Sequence, residues 1–150
     1  MSIARNVVLF GTSEAPDRLK TVRLGPLSFV YTTDAIRRIC WHEVELVRGI
    51  AWPIRDASWG TYQPEILDEQ VEESDGAFSA RLKFAVAEGR LTCGLKIQAS
   101  ESGAFDLDLS MTPARGPFAT NRAGFTVLHP IRGIAGAPLE VTHSDGAVED

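Results

Sequence analysis

Three runs decide the fold: FSARLKFAV at 78–86, LTCGLKIQA at 91–99 and FDLDLSM at 105–111. Each alternates apolar and polar residues with a period of two, the mark of a half-buried strand. In the first, Phe78, Ala80, Leu82, Phe84 and Val86 share one face, with Ser79, Arg81 and Lys83 opposite. In the second, Leu91, Cys93, Leu95, Ile97 and Ala99 oppose Thr92, Lys96 and Gln98. In the third, Phe105, Leu107, Leu109 and Met111 oppose Asp106, Asp108 and Ser110. The connections, Ala87-Glu88-Gly89-Arg90 and Ser100-Glu101-Ser102-Gly103, are too short to join parallel neighbours, so the runs form an antiparallel meander. Leu82, Phe84, Leu95, Ile97, Leu107 and Leu109 are the expected core. Asp106 and Asp108 are expected on the solvated face beside Lys96, where opposite charges are mildly stabilising.

Working outward, Val7–Thr12, Thr21–Leu24 and Leu27–Thr32 read as short strands, the last two punctuated by Gly25-Pro26. From Ile36 to Ile50 the apolar spacing also fits a helix. The β-branched content and the weak C-terminal cap favour strands. Glu65–Gly76 holds six acidic residues in twelve and reads as a strand with a charged face. Ala123–His129 and Leu139–His143 complete the set, with Phe125, Val127 and Leu128 expected inside. Roughly ten short strands with frequent turns make residues 1–150 one all-β domain, an antiparallel two-sheet β-sandwich with little helix.

Composition narrows the function. The 150 residues are 44% hydrophobic and 23% charged, ordinary for a globular chain. A net charge of −5 argues against nucleic acid as a partner, because that affinity rests on Lys and Arg neutralising phosphates. No stretch approaches the roughly 20 apolar residues of a membrane span. The N-terminal run Val7–Phe10 is too short for a signal-peptide core, which points to the cytoplasm. Cys40 and Cys93 lack metal-site spacing and read as small buried hydrophobes.

Two polar and aromatic clusters stand out: WPIRDASWGTY at 52–62 and TNRAGF at 120–125. Trp59 and Tyr62 offer flat faces to a sugar ring, and Asn121 and Arg122 offer donors to hydroxyls or carboxylates. Each also has a plain alternative as packing or a surface pair. Arg122 would then hold an internal Asp or Glu. His42 lies beside Glu43, and His143 lies close to Asp145, pairs that could orient a general base only if the fold brings them together. No GxSxG, Walker, GxGxxG or HExxH motif occurs, and no nucleophile, metal set or cofactor site is identified.

Several stretches together resemble the N-terminal region of the D-apionate lactonase family. They are Leu9–Thr12, Arg23–Leu27, Gly49–Ala51, Arg55-Asp56, Trp59–Tyr62, Thr120–Ile131, Ala135-Gly136 and Val141–Gly146. The stretch TNRAGFTVLHP is the most specific. The resemblance implies a sandwich of supersandwich-like type, set before a barrel-like region in a longer enzyme that hydrolyses the lactone of a branched-chain sugar acid. The implied partners are a downstream domain or a partner subunit, with a sugar or sugar acid as ligand. Asn121, Arg122 and His129 fall on the family signature as binding or inter-domain candidates, and no catalytic residue is carried over. The competing readings are a free-standing carbohydrate-binding or structural sandwich module and a small enzyme using His and Asp on a sheet face. Continuation of the reading frame past Asp150 would separate the first reading from the second. The small enzyme would need a concave site gathering two of His42, His129 and His143 with a carboxylate.

Overall fold

A computed structural model describes residues 7–8 and 19–149. Its elements are nearly all strands, arranged as a sandwich-like all-β fold. One sheet has five strands in the order β1-β2-β3-β4-β11: β1 (Lys20–Leu24), β2 (Leu27–Tyr31), β3 (Ala35–Trp41), β4 (Val44–Ala51) and β11 (Thr126–Leu128). The other has four in sequence order: β6 (Glu65–Ser74), β7 (Ala77–Val86), β8 (Leu91–Ser100) and β9 (Phe105–Pro113). Two two-stranded pieces join β5 (Ile54–Arg55) to β10 (Arg122–Ala123), and β12 (Val141–Thr142) to β13 (Val148–Glu149).

The alternating runs behave as their period requires. β7 and β8 pair antiparallel without a register shift from Ala77↔Ser100 to Val86↔Leu91. Leu82 therefore faces Leu95, Phe84 faces Cys93 and Ala80 faces Ile97, all buried. The facing sheet contributes Val22, Leu24, Leu27, Phe29, Tyr31, Ile36 and Ile39 to the same core. Phe29 joins the layers, meeting Phe78 edge-on at 5.2 Å and Phe105 at 5.1 Å. Such edge-to-face pairs add about 0.5–1.5 kcal/mol beyond burial. Cys40 and Cys93 are free and buried, and burial pushes the Cys93 thiol up to about 11. Its reactive thiolate form is therefore scarce at neutral pH.

The outer face of the four-stranded sheet is arranged by charge. Arg81 lies opposite Lys96, a like-charge pair, but Lys96 also faces Asp108, and the next position along pairs Lys83 with Asp68. The acidic edge strand β6 also reaches across to the other sheet. Lys20 Nζ contacts Glu73 Oε2 at 2.8 Å, and Tyr31 Oη donates to Glu69 Oε1 at 2.9 Å. An edge strand lined with carboxylates discourages pairing with another chain.

The segment 36–50 is two strands joined at His42-Glu43. Both residues have positive φ, 46° and 68°, the left-handed pair that a tight hairpin with the sheet's own twist demands. Other expectations need correction. Val7-Val8 is helical rather than extended, and the rest of the proposed strand Val7–Thr12 lies outside the described residues. Leu107 and Leu109 are half-buried because β9 is an edge strand with one paired side. The proposed strand Ala123–His129 breaks at Gly124, whose φ is +138°, so its halves pair in different sheets. Phe125, Val127 and Leu128 are consequently exposed, Leu128 at 57%. Leu139–His143 shrinks to the two residues of β12.

Leu95, 1% exposed at the centre of the ladder, sets the scale of the core. Leu95→Ala should cost about 2–5 kcal/mol in urea unfolding through the cavity it leaves. A loss under about 0.5 kcal/mol, the size of a surface change, would place it outside the core. Tyr31 supplies a pH test. Burial and then the Glu69 carboxylate hold its phenol well above the usual range. Below about pH 10 both folded and unfolded chains keep that proton. Above it only the unfolded chain loses it, so stability falls by about 1.4 kcal/mol per pH unit from this group. Tyr31→Phe should remove that alkaline slope. An identical slope in the variant would disprove the assignment.

Candidate functional site

The two polar clusters of the sequence meet. β5 and β10 pair so that Arg122 lies directly opposite Arg55 and Ala123 opposite Ile54. Backbone and side chain reinforce the bridge. Asn121 N donates to Arg55 O at 3.1 Å, and Thr120 Oγ1 donates to the same carbonyl at 2.6 Å. Ile54 is buried in the main core, so the bridge is anchored from below while its arginines stay near the surface.

The loop after β5 presents Trp59. Asp56 Oδ1 accepts from the backbone amides of Ser58 and Gly60, both at 2.8 Å. Asp56 N donates to Gly60 O at 2.8 Å, closing the loop on itself. Trp59 sits at its tip with φ +69° and is 57% exposed. A large side chain in the left-handed region costs about 1–2 kcal/mol. Core packing does not offset that cost here, because the ring faces out. The Arg122 guanidinium lies over this ring, 5.3 Å from its centroid. Arg55 Nη1 donates to Thr61 Oγ1 at 2.6 Å and reaches Trp59 O at 3.4 Å. Together Pro53, Arg55, Trp59, Asn121, Arg122 and Phe125 line a hollow of about 510 Å³.

Of the five candidates read from the sequence, Trp59, Asn121 and Arg122 share this hollow. Tyr62 does not. Its ring packs on Phe118 at 5.4 Å, and it lines a separate hollow with Trp52, Pro53 and Phe84. His129 lies past the other end of β11, where its Nδ1 is 3.5 Å from Leu46 O. There it lines a groove of about 780 Å³ with Val44, Glu45, Arg48, Leu128 and Ile131. Arg122 has no ion-pair partner among the described residues, so the internal pair weighed for it is absent there. His42 abuts Trp41 at the β3–β4 turn, and His143 pairs with Glu149 at 3.4 Å in the terminal hairpin. Among the described residues no group of three or more His, Cys, Asp or Glu could hold a metal. No helix there is long and apolar enough to cross a membrane.

Of the charged and aromatic residues that line the hollow, Arg55 and Phe125 are not site candidates from the sequence, which places Phe125 in the core. Both stood inside the two quoted clusters. What was hidden was the pairing of those clusters across 65 positions, seen in the Thr120–Arg55 hydrogen bond.

The D-apionate lactonase N-terminal domain family model matches residues 7–150. The chain belongs to that family. A D-apionate lactonase of Brucella anthropi is 38% identical over 153 residues, covering 99% of this chain and 25% of the relative. The chain thus spans about a quarter of that lactonase. No solved structure matches it. The signature stretch of this lactonase-family domain is split by the fold. Asn121 and Arg122 go to the hollow, and His129 goes to the groove.

The Asp56 clamp yields a direct test. Asp56→Ala should cost about 1–2 kcal/mol in urea unfolding, as two amides lose a charged acceptor. It should also loosen Trp59, seen as faster local motion of the Trp59 indole by NMR relaxation. An unchanged indole would mean that the clamp does not position the ring.

Proposed function

We propose that this chain acts as the N-terminal β domain of a longer lactonase of sugar-acid catabolism, supporting ring opening rather than performing it. Residues 1–150 then form one sandwich module, and the face around β4 and β11 seats the rest of the enzyme. The observation that carries this reading is the unpaired edge of β4. β11 pairs with Gly49, Ile50 and Ala51, and among the described residues Val44–Arg48 have no strand neighbour on that side. Val44 and Leu46 are exposed there, with Leu128 and Ile131 close by, Ile131 at 82%. An open strand edge beside exposed apolar side chains is a liability in a lone domain and a ready seat for a partner. The family match and the four-fold greater length of the Brucella anthropi relative favour a partner in the same polypeptide.

The test is a chimera in which this chain replaces the matching quarter of the Brucella anthropi lactonase. The chimera should hydrolyse the lactone that the relative hydrolyses, while the chain alone should match the buffer rate on a panel of sugar lactones. Leu128→Glu should leave the chain's own stability within about 0.5 kcal/mol, as exposed positions do. In the chimera it should abolish activity or assembly. Saturable turnover by the chain alone, lost in His129→Ala, would overturn the proposal and favour a small self-contained enzyme. A free-standing module would be favoured instead if Leu128→Glu proved harmless in an active chimera.

A further inference from the structure

We infer that the hollow between Arg55, Arg122 and Trp59 binds a small polyhydroxylated carboxylate. The first ground is electrostatic. Arg55 and Arg122 are cross-strand partners, so their side chains leave the same face of the β5–β10 bridge. Like charges placed directly opposite are destabilising. Elsewhere in this protein the same conflict is relieved: Arg81 opposes Lys96, and Asp108 faces Lys96 from the other side. In the hollow, neither arginine has an ion-pair partner among the described residues. The adjacent carboxylate, Asp56, accepts loop amides instead. Two uncompensated cations on one face, in a chain of net charge −5, make a local site for an anion.

The second ground is the strained loop. Trp59 is held at φ +69° with its ring out, and no buried packing offsets the cost. Strain of this kind that the surroundings over-determine is characteristic of binding sites. The loop also fixes the chemistry. The Arg122 guanidinium lies over the indole, and its donors have no hydrogen-bond or ion-pair partner among the described residues, so its planar fork is available to a carboxylate. The half-exposed ring of Phe125 supplies a second apolar wall for C–H groups, and the Asn121 amide and Thr126 hydroxyl supply partners for hydroxyls. A hollow of about 510 Å³ is of the size that small-molecule sites have. A simple inorganic anion would use the arginines and leave Trp59, Phe125 and Asn121 without a role.

The inference does not depend on docking to a longer enzyme, because all of its residues lie in this chain, and it is tested on the chain alone. Gluconate is titrated into isotopically labelled protein at constant ionic strength, with glucose and acetate as controls. Saturable shifts are expected at the Trp59 indole, the Asn121 amide and the Arg122 Nε–H. Glucose lacks the carboxylate and should give none, and acetate should bind at least roughly tenfold more weakly. Arg122→Ala should weaken gluconate binding roughly tenfold or more, as loss of a charge-assisted pair does. Arg122→Lys should recover only part of it. Arg37→Ala, which removes a paired surface arginine elsewhere, should change nothing. A spectrum that otherwise keeps its dispersion shows that each variant is folded. Absence of saturation up to about 50 mM gluconate, a range that would reveal even millimolar binding, overturns the inference. So does equal binding of gluconate and acetate, or binding unaffected by Arg122→Ala.

Discussion

The rest of the structure depends on one ladder. β7 and β8 run ten residues side by side without a bulge, and that regularity fixes which side chains point inward. A slip of one residue would send Leu82, Phe84, Leu95 and Ile97 to water and Arg81 and Lys96 into the core. The other sheet is more irregular, with register shifts between β2 and β3 and between β3 and β4. Phe29 couples the two, since its ring touches Phe78 on β7 and Phe105 on β9 at once.

The candidate hollow is built by a different rule. β5 and β10 share only two residue pairs, too few to persist alone. The bridge survives because Trp52 and Ile54 are buried in the main core on one side of it, and because Thr120 and Asn121 both bind the Arg55 carbonyl. The surface side is then free to carry groups that the core would reject. Two facing arginines and an exposed tryptophan at positive φ are locally unfavourable, and they are tolerated because burial elsewhere holds the backbone beneath them.

How much of this could be read beforehand follows the physics of each segment. From Phe78 to Ala99 each strand has neighbours on both sides and one face inward, so alternation alone located the core. Leu107 and Leu109 alternate just as well but lie on an edge strand, where periodicity names the face and not the depth of burial. Phe125, Val127 and Leu128 misled for a further reason. An apolar run predicts burial within this chain, whereas Gly124 at φ +138° breaks it and leaves those side chains exposed. In the site, residue types flagged Trp59, Asn121 and Arg122. Their meeting depends on a pairing between positions 55 and 122, which no local pattern encodes. Tyr62 was flagged by the same aromatic logic, yet it packs on Phe118.

The exposed run at β11 has a consequence for both ends of the signature stretch. Arg122 and His129 stand at opposite ends of an eight-residue stretch that changes sheets at Gly124. Phe125 and Thr126 line the hollow, while Leu128 lines the groove. Between them β11 is held by three residue pairs to β4 and by few buried contacts, so it is drawn from the low-stability end of the fold. A partner seated on the β4–β11 face would order this strand, and ordering it would fix Phe125 and Thr126 at the edge of the hollow. A ligand in the hollow would likewise favour the strand position that the partner needs. By linkage the two effects are equal in free energy. The eight-residue stretch from Arg122 to His129 is thus the physical route by which the hollow and a partner on the β4–β11 face would be coupled.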